Sequence, residues 1–211
     1  FRQRDYEREI LGRMYADVAP LDPEGILQDE FLNSRGAIPR FHRGSIEIRV
    51  LDVQECPAVD LAILSLATGA LRLLIQEELS PRSLQEALGV SELEPVFLHA
   101  LEAGENGVVS NPRYLQALGM RTRKATAGEI WCHLLEASEP AGLTSPEERS
   151  RLLRNLLKRG TLAGQILQAL DVEKGEPGLE ADAYPLLPRE RLVEVYRSLA
   201  GCLEQGDVFA A

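Results

Sequence analysis

Arg40, Arg43 and Arg49 stand around Glu47 within ten residues of a chain whose net charge is −10. Guanidinium groups so closely spaced repel one another unless carboxylates or a bound anion compensate, and their planar fork suits phosphate and carboxylate groups. Arg35 lies just upstream and adds a further cation. From Ser45 to Leu51 polar and apolar residues alternate. On a strand, Ser45, Glu47 and Arg49 would share one face, and Ile46, Ile48 and Val50 the other. The apolar face is expected to pack into a core, leaving a carboxylate beside a guanidinium on the opposite side. Their Cα atoms would be about 6.5–7 Å apart. Taken alone, such a pair reads more simply as a surface salt bridge. The company of Arg35, Arg40 and Arg43 favours an anion site.

The segment Leu32-Asn-Ser-Arg-Gly-Ala-Ile-Pro-Arg-Phe-His-Arg-Gly-Ser-Ile-Glu-Ile-Arg-Val-Leu-Asp-Val-Gln54 carries a specific signature. A Gly and a small residue precede Ile-Glu-Ile-Arg, and Asp, an apolar residue and Gln follow. This resembles the C-terminal catalytic strand region of the carboxylate-amine ligases related to glutamate–cysteine ligase, the type 2 family. Looser likeness extends upstream through Asp22-Pro-Glu-Gly25 and downstream into the segment from Ala58. The resemblance implies an antiparallel-sheet site of the glutamine synthetase kind, with ATP and Mg²⁺ as cofactors. It implies that Glu47 is a ligand of the ATP-bound magnesium and that Arg49 contacts the transferred phosphoryl group. Arg43, and with it Arg40 and Arg35, would contact phosphate or the substrate carboxylate. The implied partners are a small-molecule carboxylate, glutamate in the first instance, and an amine; the chemistry is amide formation through an acyl phosphate. Hard carboxylate oxygens for magnesium, and cations for phosphoryl transfer, are consistent with these roles. The family also needs a Glu-x-Glu-type strand and further metal ligands, and nothing before Arg35 supplies them. The chain opens with a charged stretch and no initiator Met. It reads as a fragment, as the partner of another polypeptide, or as a chain that has lost the activity; the first is the simplest, a C-terminal part inactive alone.

Composition narrows the alternatives. With 211 residues, 45% of them hydrophobic, the chain can bury a substantial core. Its pI near 4.9 argues against nucleic acid or an anionic membrane as the main partner. Arginine outnumbers lysine 20 to 3, so position carries more information than composition. Cys56, Cys132 and Cys202 are widely spaced with no CxxC, which fits a reduced cytoplasmic protein. The apolar run Leu61 to Ile75 is interrupted by Ser65, Thr68, Gly69 and Arg72. It reads as a buried helix too short for a bilayer, and homo-oligomerisation is left open.

The elements that must position the site follow from periodicity. Arg4 to Val18 reads as a helix with Tyr6, Ile10, Leu11 and Met14 at helical spacing. Asp22 before Pro23 reads as an N-cap, and Gly36 as a loop residue free to take a positive φ. Ala37 to His42 and Ser45 to Val53 read as strands joined at Arg43-Gly44, Pro39 confining the first to an edge. Beyond Pro57 the periodicity turns helical, with a long helix over 58–79 and shorter ones near 81–88, 92–103, 111–118, 126–137, 146–158, 161–171 and 188–205. No further strand is expected, and Asp171 to Tyr184 reads as a loop. The fold class is thus α+β. Residues 1–56 form the strand region and 57–211 a helical portion packed on it.

Rival signals have plainer readings. Ser80 to Gly104 has the rhythm of a helix-turn-helix. Ser80 to Gly107, however, holds five glutamates against one arginine, the wrong charge for a recognition helix. It reads as a helical hairpin. His99 and His133 lie on apolar faces, Cys132 and Cys202 read as buried, and only His42 and Cys56 fall near the arginine cluster. The competing function is a non-catalytic helical interaction module whose arginine cluster binds an anion.

Overall fold

The computed structural model describes residues 2–27, 32–138, 147–171 and 188–209, except for the side chain of Glu148. All but the first residue of the expected loop from Asp171 to Tyr184 lies outside these. The protein has an α+β fold, made of helices and two small antiparallel strand pairs. It divides into two compact units, Phe1–Val53 and Gln54–Ala211.

The first unit opens with α1 (Gln3–Tyr6), a π-helical segment (Glu7–Leu11) and α2 (Gly12–Val18) in unbroken succession. The Gly12 N–H donates to the Glu7 carbonyl five residues back, the wide turn of a π-segment. A Cβ at Gly12 would stand 3.3 Å from that oxygen, so a residue with no side chain suits the position. After a short turn at Ala19–Leu21, no helix starts at Pro23, against the expected N-cap at Asp22; its carboxylate instead ties a turn, accepting from the N–H groups of Ile26 and Leu27 at 2.9 and 2.8 Å.

Strand β1 (Ala37–Arg40) and strand β2 (Ser45–Ile48) pair antiparallel, with Ile38 opposite Glu47 and Arg40 opposite Ser45. The connection is a 3₁₀ turn over Phe41–Arg43 closed by Gly44 at φ +60°. This left-handed residue is needed here, and Gly36, expected to supply one, has no positive φ. Pro39 is tolerated because each strand of a two-stranded ribbon is an edge. β2 ends at Ile48, short of the expected Val53, after the Arg49 N–H closes on the Gly36 carbonyl at 2.8 Å.

The expected orientation of the ribbon is overturned. Ile46 is 64% exposed, Ile48 and Val50 are also exposed, and Ile38 on the Glu47 face is 1% exposed. Ile38 is the buried point of that face, while Ser45 and Arg49 stay exposed and Glu47 is half-buried.

In the second unit α3 (Pro57–Ile75) begins with Pro at its first position, where a missing N–H costs nothing. Its stripe of Val59, Ala62, Leu66, Ala70 and Leu73 is buried. At 19 residues it is long and apolar enough to cross a bilayer by length and composition, contrary to the expectation that it is too short. Here it packs against α7 (Ala127–Ser138) and α8 (Glu147–Arg159), with Ala62, Leu66, Leu135 and Leu153 forming one core cluster.

A second cluster joins Ala70 to Leu115, Leu118, Ile130 and Leu134. It includes Val109 and Ala125, members of a pair the sequence did not predict: β3 (Val108–Val109) against β4 (Ala125–Thr126). Two-residue strands are too short to show any alternation. The hairpin α4 (Arg82–Glu86) and α5 (Val90–Ala103) precedes this pair, and α6 (Pro112–Ala117) lies between its strands, capped by Asn111. A third cluster is built by α9 (Leu162–Ala169) and α10 (Arg189–Gln205), where Leu162, Leu170 and Val195 meet Phe209.

Candidate functional site

The hairpin register decides which charges meet. Arg40 lies opposite Ser45, so Glu47, two residues on, is its diagonal neighbour on the same face. Arg49 follows at the next position of that face. Arg40 Nη1 donates to Glu47 Oε2 at 3.1 Å, and Arg49 Nε lies 3.0 Å from Glu47 Oε1. Both oxygens of one carboxylate are thereby engaged by separate guanidiniums. The side chains are 21% exposed for Arg40, 38% for Glu47 and 35% for Arg49, so the triad is reachable from solvent.

Asn33 organises the rear of the triad. It is 1% exposed, and its carbonyl accepts from Arg49 Nη1. Its side-chain oxygen accepts from Arg35 at 3.3 Å, and its amide donates to the Tyr6 hydroxyl at 2.7 Å. Tyr6 in turn stands edge-on to Phe41, ring centroids 5.7 Å apart, in the turn between the strands. Asn33 and Tyr6 were not identified from sequence. Asn33 looked like one more loop residue and Tyr6 like part of an apolar helix face; both roles depend on a contact between residues 27 apart in sequence.

Of the five arginine and glutamate positions singled out in the sequence, Arg40, Glu47 and Arg49 come together directly. Arg35 joins through Asn33 and also reaches the Met14 sulfur at 3.5 Å. Arg43 sits on the exposed 3₁₀ turn and donates to His42 at 3.2 Å, with no bond to Glu47.

Among the described residues no three His, Cys, Asp or Glu side chains cluster as a metal site. Mg²⁺ in phosphoryl-transfer sites is held by one or two carboxylates together with phosphate oxygens and water. Glu47 fits as one such ligand, and Arg40 and Arg49 fit as counter-charges to phosphate.

Groups elsewhere offer less chemistry. A groove of about 580 Å³ in the second unit is lined by Glu105, Glu129, Cys132, His133, Glu136 and Lys158 among others. His133 Nε2 is engaged with the Leu118 carbonyl at 2.9 Å. Cys132 is an exposed residue, against the expectation of burial, because it lies on the solvent side of α7. Partial shielding of its sulfur, then Glu136 and Glu129, push its thiol above the usual range. The groove thus presents no activated nucleophile. Cys56 is buried, its thiol donating to the Gly206 carbonyl at 3.1 Å. Cys202 is partly buried.

No family model matches the chain, and no solved structure matches it. It is similar to an uncharacterized protein of Archaeoglobus fulgidus, 31% identical over 153 residues. The match takes in 69% of this chain and 42% of that protein, so the chain spans less than half the length of its relative.

Proposed function

We propose that the face shared by Arg40, Glu47 and Arg49 is the phosphoryl-handling part of an ATP- and Mg²⁺-dependent carboxylate-amine ligase site, of the glutamate–cysteine ligase kind. The observation that carries this reading is the convergence of two guanidiniums on one solvent-reachable carboxylate, with a third arginine tied in through buried Asn33. Bound magnesium would supply charge neutralisation of the nucleotide phosphates, with Glu47 as a protein ligand. Arg49 is anchored at one end by the Asn33 carbonyl, so its fork is oriented for an oxyanion before one arrives. Arg40 offers a second cation from the neighbouring strand. Positioned cations of this kind lower the cost of charge moving onto the transferred phosphoryl group. The acid substrate is a small carboxylate, with glutamate first, and an amine completes the amide.

The rival is a helical interaction module in which the triad is a self-satisfied surface network. Its specific support is the closed pairing of Glu47, which needs no ligand. Isothermal titration of the intact protein with ATP and Mg²⁺ separates the two. The ligase reading expects saturable heat that is lost in Glu47→Gln; the rival expects no heat attributable to this face.

A further inference from the structure

Glu47 presents two oxygens, and a guanidinium holds each: Arg40 Nη1 at 3.1 Å from Oε2 and Arg49 Nε at 3.0 Å from Oε1. A divalent cation bonded to this carboxylate would stand beside two positive groups with no anion between them, an unfavourable arrangement in a partly shielded site. An oxyanion reverses the balance. Guanidinium forks take oxyanions bidentately, and an arginine turned to an anion no longer occupies the carboxylate. Arg49 is suited to such an exchange, because its Nη1 stays bonded to the Asn33 carbonyl while its Nε contacts Glu47. Asn33 is itself fixed by the Tyr6 hydroxyl at 2.7 Å and is 1% exposed. The guanidinium can pivot about a buried anchor instead of swinging into solvent.

We propose that Arg40, Glu47 and Arg49 form a partner-exchange latch, in which an oxyanion that draws off the guanidiniums frees the Glu47 carboxylate for a divalent cation. Anion and cation then bind interdependently, and by linkage each strengthens the other by the same factor. The identity of the ligands, phosphate oxygens and Mg²⁺, rests on the ligase reading; the latch needs no turnover.

The test uses the intact protein with Mn²⁺ as the metal probe, free Mn²⁺ being read by electron paramagnetic resonance, and sulfate as an anion that binds Mn²⁺ weakly in solution. Mn²⁺ alone should bind weakly, and saturating sulfate should tighten it by at least about tenfold, with the same factor gained by sulfate when Mn²⁺ is present. Arg40→Gln removes one of the two guanidiniums, so Mn²⁺ alone should bind more tightly than to the wild type, and the dependence on sulfate should shrink. Glu47→Gln should abolish the coupling while sulfate still binds. Equal Mn²⁺ affinity with and without sulfate would overturn the latch. So would Mn²⁺ failing to bind in either condition, or coupling that survives Glu47→Gln. Coupling without ATP-dependent ligation by the intact protein leaves the latch standing and removes the ligase reading. Ligation without coupling does the reverse.

Discussion

Glu47 and Arg49 are two residues apart in sequence and 3.0 Å apart in space, and the two functional readings differ over what their pairing is worth. Both side chains are more than a third exposed, so the ion pair contributes about 0.2–1 kcal/mol to folding at most. On the ligase reading, Glu47→Gln keeps the size of the side chain and would remove a metal ligand, while Arg49→Lys keeps the charge and loses the fork. Each should lower kcat at least about a hundredfold, as loss of a comparable charge-stabilising group does, with the melting temperature almost unmoved. Normal turnover in both variants would leave the triad as a surface network. Asn33 should behave in the opposite manner. Asn33→Ala removes the bonds from its buried side chain to the Tyr6 hydroxyl and from Arg35, and should cost about 1–3 kcal/mol, seen as a lower urea midpoint. The alternation that puts Glu47 and Arg49 on one face was legible in the sequence; the side on which the ribbon would be covered was not. Ile46, Ile48 and Val50 look like a core face by hydropathy. The buried position is instead Ile38 on the neighbouring strand, placed opposite Glu47 by cross-strand register, which a single strand's pattern does not contain.

Helices were the most readable elements, because their cores repeat every three or four residues over long stretches and their ends carry Pro, Asn and Gly. Pro57 opens α3, Asn111 caps α6 through the N–H groups of Arg113 and Tyr114, and Gly206 closes α10 at φ +74°. The pair β3 and β4 escaped notice because two residues per strand show no period, and the π-segment because its hydrogen-bond spacing leaves no mark on composition. Two measurements test the elements. Gly44 has φ +60° and nothing within 4 Å of the place a Cβ would take. Gly44→Ala should therefore cost only the backbone term, about 1–2 kcal/mol, measurable by urea denaturation; a neutral substitution would mean that the turn does not need its left-handed residue. Tyr114 packs against the Leu115–Leu134 cluster, and burial raises its phenol above the ordinary value of 10.0. Above that pH the unfolded chain loses this proton while the folded chain keeps it. The folded state then binds more protons, and stability falls as pH rises from the ordinary value toward the folded one. Tyr114→Phe should flatten that part of the alkaline stability profile relative to wild type. Identical slopes in the two proteins would show that burial does not hold the phenol protonated.

At the scale of the molecule, the proposed ligase reading assigns the chemistry to a ribbon of two four-residue strands. Phosphoryl transfer depends on holding nucleotide, metal and acceptor in line, since positioning supplies much of the rate. The ribbon's charged cluster is built on one carboxylate, Glu47, with Arg40 and Arg49 on it and Arg35 behind, and among the described residues no three metal-ligating side chains cluster. A single carboxylate with its counter-cations is enough to capture an anion, but not to fix a nucleotide and a carboxylic acid at reacting distance. The 211-residue chain on its own is therefore expected to bind sulfate or phosphate weakly near Arg49 and to release no phosphate from ATP when glutamate and an amine are supplied. Nuclear magnetic resonance of the arginine Nε–H groups would locate the anion, and a phosphate-release assay would measure turnover. Ligation by the isolated chain would mean that the remaining ligands are already present within these residues. Anion shifts confined to Arg43, with Arg40 and Arg49 silent, would move the site off the sheet face and onto the exposed turn.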